Sequence, residues 1–297
     1  MLIASLVAAP IEAVAQEFVV ETRKSVQYGT HDGAALVGDL YLPQAAESRP
    51  VVVAVHGGGW QVGSRDIYQY MGPYLSARGY AVFSIDYRLT RDGRNRHPAA
   101  VHDVRAAVQW VRSNGAELRI DSSRIALMGD SAGAHLGALV ALAGDSSDFT
   151  NAYRDDPYAS VSTKVRAVIG VYGSYDLIAQ WEHDLISRPT DNITQNLMGF
   201  PPMQDRRGWY AASPIAYATF DNNSTSFLLA YGTADDIVDT SRQSEAFLLA
   251  LKQARFYVRT VIVQSAPHFW MADPVEEPNS FAGSLAPRLL RFLAQRL

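Results

Sequence analysis

The sequence contains no cysteine. Disulfide staples, thiolate nucleophiles and cysteine-held metals are thereby excluded, while either redox compartment stays open. Charge of one sign is also scarce: 26 basic and 30 acidic residues leave a net charge of −4, without a long block of like charge. That balance gives no electrostatic footprint for nucleic acid or an anionic membrane, and neither is expected as a partner. Beyond the N-terminus, no run approaches the roughly 20 apolar residues that a spanning helix needs, so no integral membrane segment is expected. Internal repeats and low-complexity tracts are missing too.

What is present is ordinary for a globular chain: 297 residues, 48% hydrophobic and 19% charged. This length can bury a sizeable core and is often filled by one large α/β sheet. Residues 1–16 read MLIASLVAAPIEAVAQ, with a small-x-small triplet at 13–15 but no basic start, and Glu12 interrupts the apolar part. If residues 1–15 are an export signal, the protein is periplasmic or secreted; otherwise it is cytoplasmic. Residues 17–297 are expected to form one domain.

The pattern along that domain is strand and helix in alternation. Residues 17–43 alternate apolar and polar around a Gly-rich turn at 29–33, as antiparallel edge strands do. Short β-branched or apolar runs at 51–55, 81–85, 125–128, 165–171, 227–231 and 257–263 suit strands buried on both faces. Helices are expected over 68–78, 98–112, after Ser131, over 241–252, and from about 281 to the end. Such alternation predicts a mostly parallel central sheet with helices on both faces, an α/β fold. Residues 174–221 break the rhythm and read as a cap-like insertion. Its Trp181 and Phe200, with Trp60 and Phe269 elsewhere, are candidates for a substrate-pocket wall, although aromatics in an insertion often only anchor it to the body.

Residues 124–144 read RIALMGDSAGAHLGALVALAG. Gly129, Ser131 and Gly133 fit G-x-S-x-G at the junction of an apolar strand and a helix. That spacing lets strand and helix approach while one hydroxyl stands clear of the sheet. The next N–H lies at a helix N-terminus, where negative charge is favoured. A serine needs a base, generally a histidine oriented by a carboxylate. Of seven histidines, His31 reads as a surface-turn residue, His97 and His102 belong to or flank a helix, His135 faces the helix layer and His183 lies in the insertion. His268 differs from these five: it follows a strong strand within a loop, where open α/β sheets place their sites. The carboxylate should fall between serine and histidine in sequence. FLLAYGTADDIVD supplies Asp235, Asp236 and Asp239, and spacing does not choose between Asp235 and Asp236. After the first parallel strand, His56-Gly57-Gly58-Gly59-Trp60 bares consecutive N–H groups that can hold a developing oxyanion. It has neither G-K-[ST] nor G-x-G-x-x-G spacing, so a phosphate loop is disfavoured.

Assembled, these segments resemble the α/β-hydrolases, and the chain is most similar to hormone-sensitive-lipase-like and feruloyl-esterase-like carboxylesterases. The resemblance covers roughly residues 35–297. It rests on HGGGW at 56–60, DYRL at 86–89, HPAAVHDVRAAVQWV at 97–111, GDSAGAH at 129–135, SPI at 213–215, GTADDIV at 232–238 and PHFW at 267–270. It implies Ser131 as nucleophile, Asp235 as acid, His268 as base, and the N–H groups of Gly58, Gly59 and Ala132 as oxyanion hole. No metal or cofactor is implied. The histidine of such enzymes is usually followed by Gly, whereas here Phe269 follows. The N-terminal cap helices of the lipase-like branch are largely missing. The expected activity is hydrolysis of small apolar or aromatic esters through an acyl-enzyme. Alternatives are an arylformamidase-type amide hydrolase, an acetyl or feruloyl esterase on plant polysaccharide, or a non-catalytic ligand-binding module. A homodimer is admitted but not required.

Overall fold

The computed structural model describes residues 17–297. The segment that resembles an export signal lies outside the described residues. Eight strands form one sheet in the order β1-β2-β4-β3-β5-β6-β7-β8. They are β1 (Val20–His31), β2 (Ala34–Pro43), β3 (Arg49–Val55), β4 (Ala81–Ile85), β5 (Ile120–Asp130), β6 (Ala167–Val171), β7 (Ser226–Gly232) and β8 (Val258–Val263). The β1–β2 and β2–β4 pairs are antiparallel, and every other pair is parallel.

The helices are α1 (Met71–Ala77), α2 (Ala99–Ser113), α3 (Gly115–Leu118), α4 (Ala132–Ala143), α5 (Ser147–Thr150), α6 (Leu177–Ser187), α7 (Ile193–Met198), α8 (Arg206–Ala211), α9 (Ala246–Gln253) and α10 (Phe281–Arg296). The periodic segments form as expected, with differences at their ends. The helix read over 68–78 is broken into a 3₁₀ turn at Arg65–Tyr68 and α1. The one read from 241 opens as a π-turn over Ser241–Glu245 before α9 begins. Strand β5 starts at Ile120, five residues before its apolar run, because Arg49 of β3 pairs with Ile120.

Period-2 geometry sends alternate side chains to opposite faces. Val51, Val53 and Val55 of β3 enter one core, with residues of α2, α4 and α9. Val52 and Ala54 enter the other, against α1 and α10. A strand buried on both sides must be apolar throughout, which is why the run at 51–55 carries no polar residue. All parallel strands end at the same edge of the sheet. The loops after β3, β5, β7 and β8 therefore meet there.

A buried ionic cluster secures the turn end of the β1–β2 hairpin. His31 is not a surface-turn residue: it is fully buried, with Nδ1 2.5 Å from Asp103 and Nε2 2.8 Å from Asp156. Tyr153 stacks on its ring at 3.8 Å. Arg88 grips Asp103 through Nε and Nη2 and also donates to Asp32 and to the Tyr153 hydroxyl. Burial alone would lower the His31 pKa, but the hydrogen bonds its ring donates to Asp103 and Asp156, with their charges, raise it. A histidine raised in this way stabilises fully below its unfolded value of about 6.5. The contribution is lost as pH climbs through the raised folded value. Replacing Asp156 by Asn should therefore lower the thermal midpoint, with a larger deficit from wild type at pH 6 than at pH 9. Equal deficits at both pH values would contradict the charged pairing.

Candidate active site

The turn at Ser131 is a packing problem first. A Cβ on Gly129 would lie 2.2 Å from the Gly133 carbonyl oxygen, and one on Gly133 would lie 1.9 Å from that of Val55. Only glycine at both positions lets β5 turn directly into α4 against the end of β3. Between them Ser131 takes φ 50° and ψ −119°, a conformation that costs a non-glycine residue roughly 1–3 kcal/mol. Its N–H is fixed by Val171 O at 2.8 Å.

Ser131 Oγ lies 3.0 Å from His268 Nε2, and His268 Nδ1 lies 2.8 Å from Asp235 Oδ2. Asp235 Oδ1 accepts the N–H groups of Ile237 and Val238, both at 3.0 Å. Those bonds leave Oδ2 facing the imidazole. The neighbouring Asp236 is exposed, and of the two it is Asp235 that lies within hydrogen-bond distance of the imidazole. His268 comes from the loop after β8, whose seat is Tyr172. The two rings lie 4.4 Å apart, and the Tyr172 hydroxyl accepts the Met271 N–H at 3.0 Å. Phe269 adopts φ 65°, the left-handed region that favours glycine, and projects 62% exposed beside the histidine.

Gly58 and Gly59 line the cleft over Ser131, at φ 105° and 58°. Among the described residues no acceptor takes the N–H of either glycine. Ala132, as the first residue of α4, has no intrahelical acceptor for its own N–H. The loop is tied to the serine turn by Asp130, whose Oδ1 accepts the Gly57 N–H at 3.0 Å and the Tyr68 hydroxyl at 3.1 Å. Burial pushes the Asp130 pKa up to about 6, and the Tyr68 and Gly57 hydrogen bonds oppose that rise. From the other side, Ile193 at the start of α7 packs on the loop: a Cβ on Gly59 would meet its Cγ2 at 2.9 Å.

The cleft measures about 270 Å³. Val62, Ile193, Ile237 and Phe269 give it apolar walls, and Gln61, Arg188 and Asp191 are its polar members. Arg188 pairs with Asp191 at 2.7 Å. Of the four aromatic candidates, only Phe269 is there. Trp60 is buried in the core and donates its indole N–H to His135 Nδ1 at 3.1 Å. Trp181 packs on the core and donates to Gln195, and Phe200 is likewise half-buried against the body. Large aromatics gain more by covering the core than by lining a small cleft. Ile193 belongs to no motif and Ile237 sits within GTADDIV beside the acids, and only their placement in the fold marks either as a cleft wall. Among the described residues no group of three or more His, Asp or Glu side chains could hold a metal ion. No helix there is long and apolar enough to cross a membrane.

A family model described as BD-FAE matches residues 38–251. The chain is similar to Esterase LipC of Mycobacterium tuberculosis, 31% identical over 236 residues that cover 77% of this chain and 55% of that protein. Carboxylesterase NlhH of the same organism is 42% identical over 100 residues, covering 33% of this chain and 31% of the relative. The chain thus spans about half the length of LipC and of Esterase LipQ, 55% and 52%. Among solved structures, the Est2 esterase of Thermogutta terrifontis superposes with a TM-score of 0.74 at 24% identity, over 95% of this chain and 93% of that one. A bifunctional GH43-CE protein of Bacteroides eggerthii superposes with a TM-score of 0.74 at 25% identity, over 93% of this chain and 35% of that one. The fold shared with these structures is the α/β-hydrolase fold.

The close approach at the serine turn generates a direct prediction. Gly133→Ala should lower the unfolding free energy by about 1–3 kcal/mol in urea titration, because the added methyl meets backbone on a central strand. An unchanged unfolding midpoint would show that the turn can spread without cost.

Proposed function

We propose that this chain, which belongs to the BD-FAE family, hydrolyses carboxylic esters of small apolar or aromatic substrates. The observation that carries this reading is the unbroken hydrogen-bond chain Ser131–His268–Asp235 beneath a loop with free N–H groups. Ser131 Oγ attacks the acyl carbon, and its proton passes to His268 Nε2. Negative charge collects on the former carbonyl oxygen and is received by the N–H groups of Gly58, Gly59 and Ala132, each worth about 3 kcal/mol in such a position. As the tetrahedral adduct collapses, the bond to the alcohol oxygen breaks and His268 returns the proton to it. Water then attacks the acyl-enzyme, giving its proton to His268. The acid departs as Ser131 recovers its hydrogen. Asp235 keeps the proton of the resting imidazole on Nδ1, so that Nε2 is free to act as base.

The small apolar cleft supports short acyl groups. Its volume lies below the roughly 300–1,000 Å³ typical of drug-sized sites. Esterase LipC and Carboxylesterase NlhH, by their names, support ester hydrolysis as the reaction.

Ser131→Ala should lower kcat for p-nitrophenyl acetate by about 10⁵–10⁶-fold, and Asp235→Asn by about 10³–10⁴-fold. Full turnover in Ser131→Ala would refute the reading, and retained ligand binding without turnover of any ester by the wild type would indicate a binding module. Across a p-nitrophenyl series, kcat/KM should fall about tenfold or more from butyrate to octanoate, the range that surplus methylenes cost a closed pocket. Anilide or formanilide turnover clearly above ester turnover would favour the amide-hydrolase alternative.

A further inference from the structure

His135 is fully buried one turn beyond Ser131, and both of its ring nitrogens are occupied. Nδ1 faces the Trp60 indole N–H at 3.1 Å, and Nε2 faces the Ala212 carbonyl at 2.8 Å. An indole N–H only donates, so Nδ1 must accept and the proton must sit on Nε2, which donates to Ala212 O. The Trp60 bond needs the neutral ring, and the two bonds are made together only by the tautomer protonated on Nε2. The His135 backbone N–H in turn reaches Ser131 O at 3.2 Å. One residue therefore joins three parts: its backbone the serine turn, and its side chain the loop over it and the end of α8 in the 174–221 insertion.

The loop needs such a hold. Gly58, Gly59 and Trp60 take φ of 105°, 58° and 61° in succession, and the last of these is strained for a residue with a Cβ. Trp60 is anchored at its carbonyl, which accepts the Thr90 N–H at 2.8 Å, and at its indole, which His135 holds edge-on at a ring separation of 5.2 Å. With the indole released, nothing polar fixes the side chain of the residue that ends the run of N–H donors.

We propose that His135 is a positioning residue: through Trp60 it fixes the N–H groups of Gly58 and Gly59 above Ser131, and through Ala212 it couples that loop to the insertion. The proposal rests on the reading of Ser131 as nucleophile, and it concerns the transition state more than substrate binding. A loop that shifts by a fraction of an ångström still admits the ester but receives the oxyanion poorly.

The test measures kcat and KM for p-nitrophenyl butyrate, and the inhibition constant of an aryl trifluoromethyl ketone, in Ser131→Ala, His135→Leu, His135→Gln, Trp60→Phe and the Trp60→Phe/His135→Leu double variant. Thermal midpoints report folding. His135→Leu should lower kcat by about tenfold or more, less than the roughly 10²–10³ expected for deleting a donor outright. KM should stay within about threefold, and ketone affinity should fall in parallel with kcat. Glutamine can accept and donate in the same two directions, so His135→Gln should recover most of the lost kcat. The double variant should be no slower than the worse single variant, since both remove one interaction. Wild-type kcat in a folded His135→Leu, equal losses in the Gln and Leu variants, or losses that multiply in the double variant would each overturn the proposal. If His135→Leu does not fold, wild-type kcat in Trp60→Phe overturns it. Turnover retained by Ser131→Ala would remove the nucleophile reading and this proposal together, whereas an inactive Ser131→Ala beside a fully active His135→Leu removes only the proposal.

Discussion

The contact between Gly133 and the carbonyl of Val55 is the constraint on which the rest of the site depends. It lets helix α4 start against the end of β3, so the serine turn and the glycine-rich loop occupy adjacent strand ends. Asp130 then has the reach to accept the Gly57 N–H, and the loop lies over the Ser131 hydroxyl. Any side chain at 133 would push α4 away from the sheet and open that arrangement from below. The strain at Ser131 is held by this packing and by the Val171 carbonyl on its N–H.

The insertion is part of the same construction. Ile193 packs on Gly59, Gln180 donates to Ile237 O in the acid loop at 3.1 Å, and Ala212 O accepts from His135. Each contact reaches a different piece of the candidate machinery. A segment that reads as an irregular break in the sequence thus closes the cleft and braces the loops at the strand ends. The ionic cluster around His31 lies in a different part of the fold, where it fastens the hairpin and the 153–156 loop to α2 and to Arg88.

Much of this was legible in the chain itself, for local reasons. The β-branched run at 51–55 and the periodic helix at 98–112 carry their structure in their spacing, because each is buried on faces that period 2 or 3.6 defines. G-x-S-x-G is readable because steric need dictates its glycines. Features that depend on distant partners were not. His31 meets Asp103 and Asp156 across 72 and 125 residues of chain, so a histidine beside a turn looked exposed. Trp60 and Trp181 are large enough to suggest a pocket wall, yet both pack on the core and spend their indole N–H groups on His135 and Gln195. The cleft instead takes walls from Ile193, which no nearby motif marks, and from Ile237, two residues after Asp235. Phe269 shows the opposite case: the family's usual glycine after the histidine has a backbone reason, since residue 269 turns left-handed.

The most direct test of the central claim is covalent trapping. The protein, incubated with a p-nitrophenyl alkylphosphonate, would be digested and the labelled peptide sequenced by mass spectrometry. The account predicts one phosphonyl group per chain, on Ser131, with release of one equivalent of p-nitrophenol and loss of ester turnover in step with labelling. Stoichiometric labelling at another residue, or ester turnover that persists when Ser131 is fully modified, would contradict it.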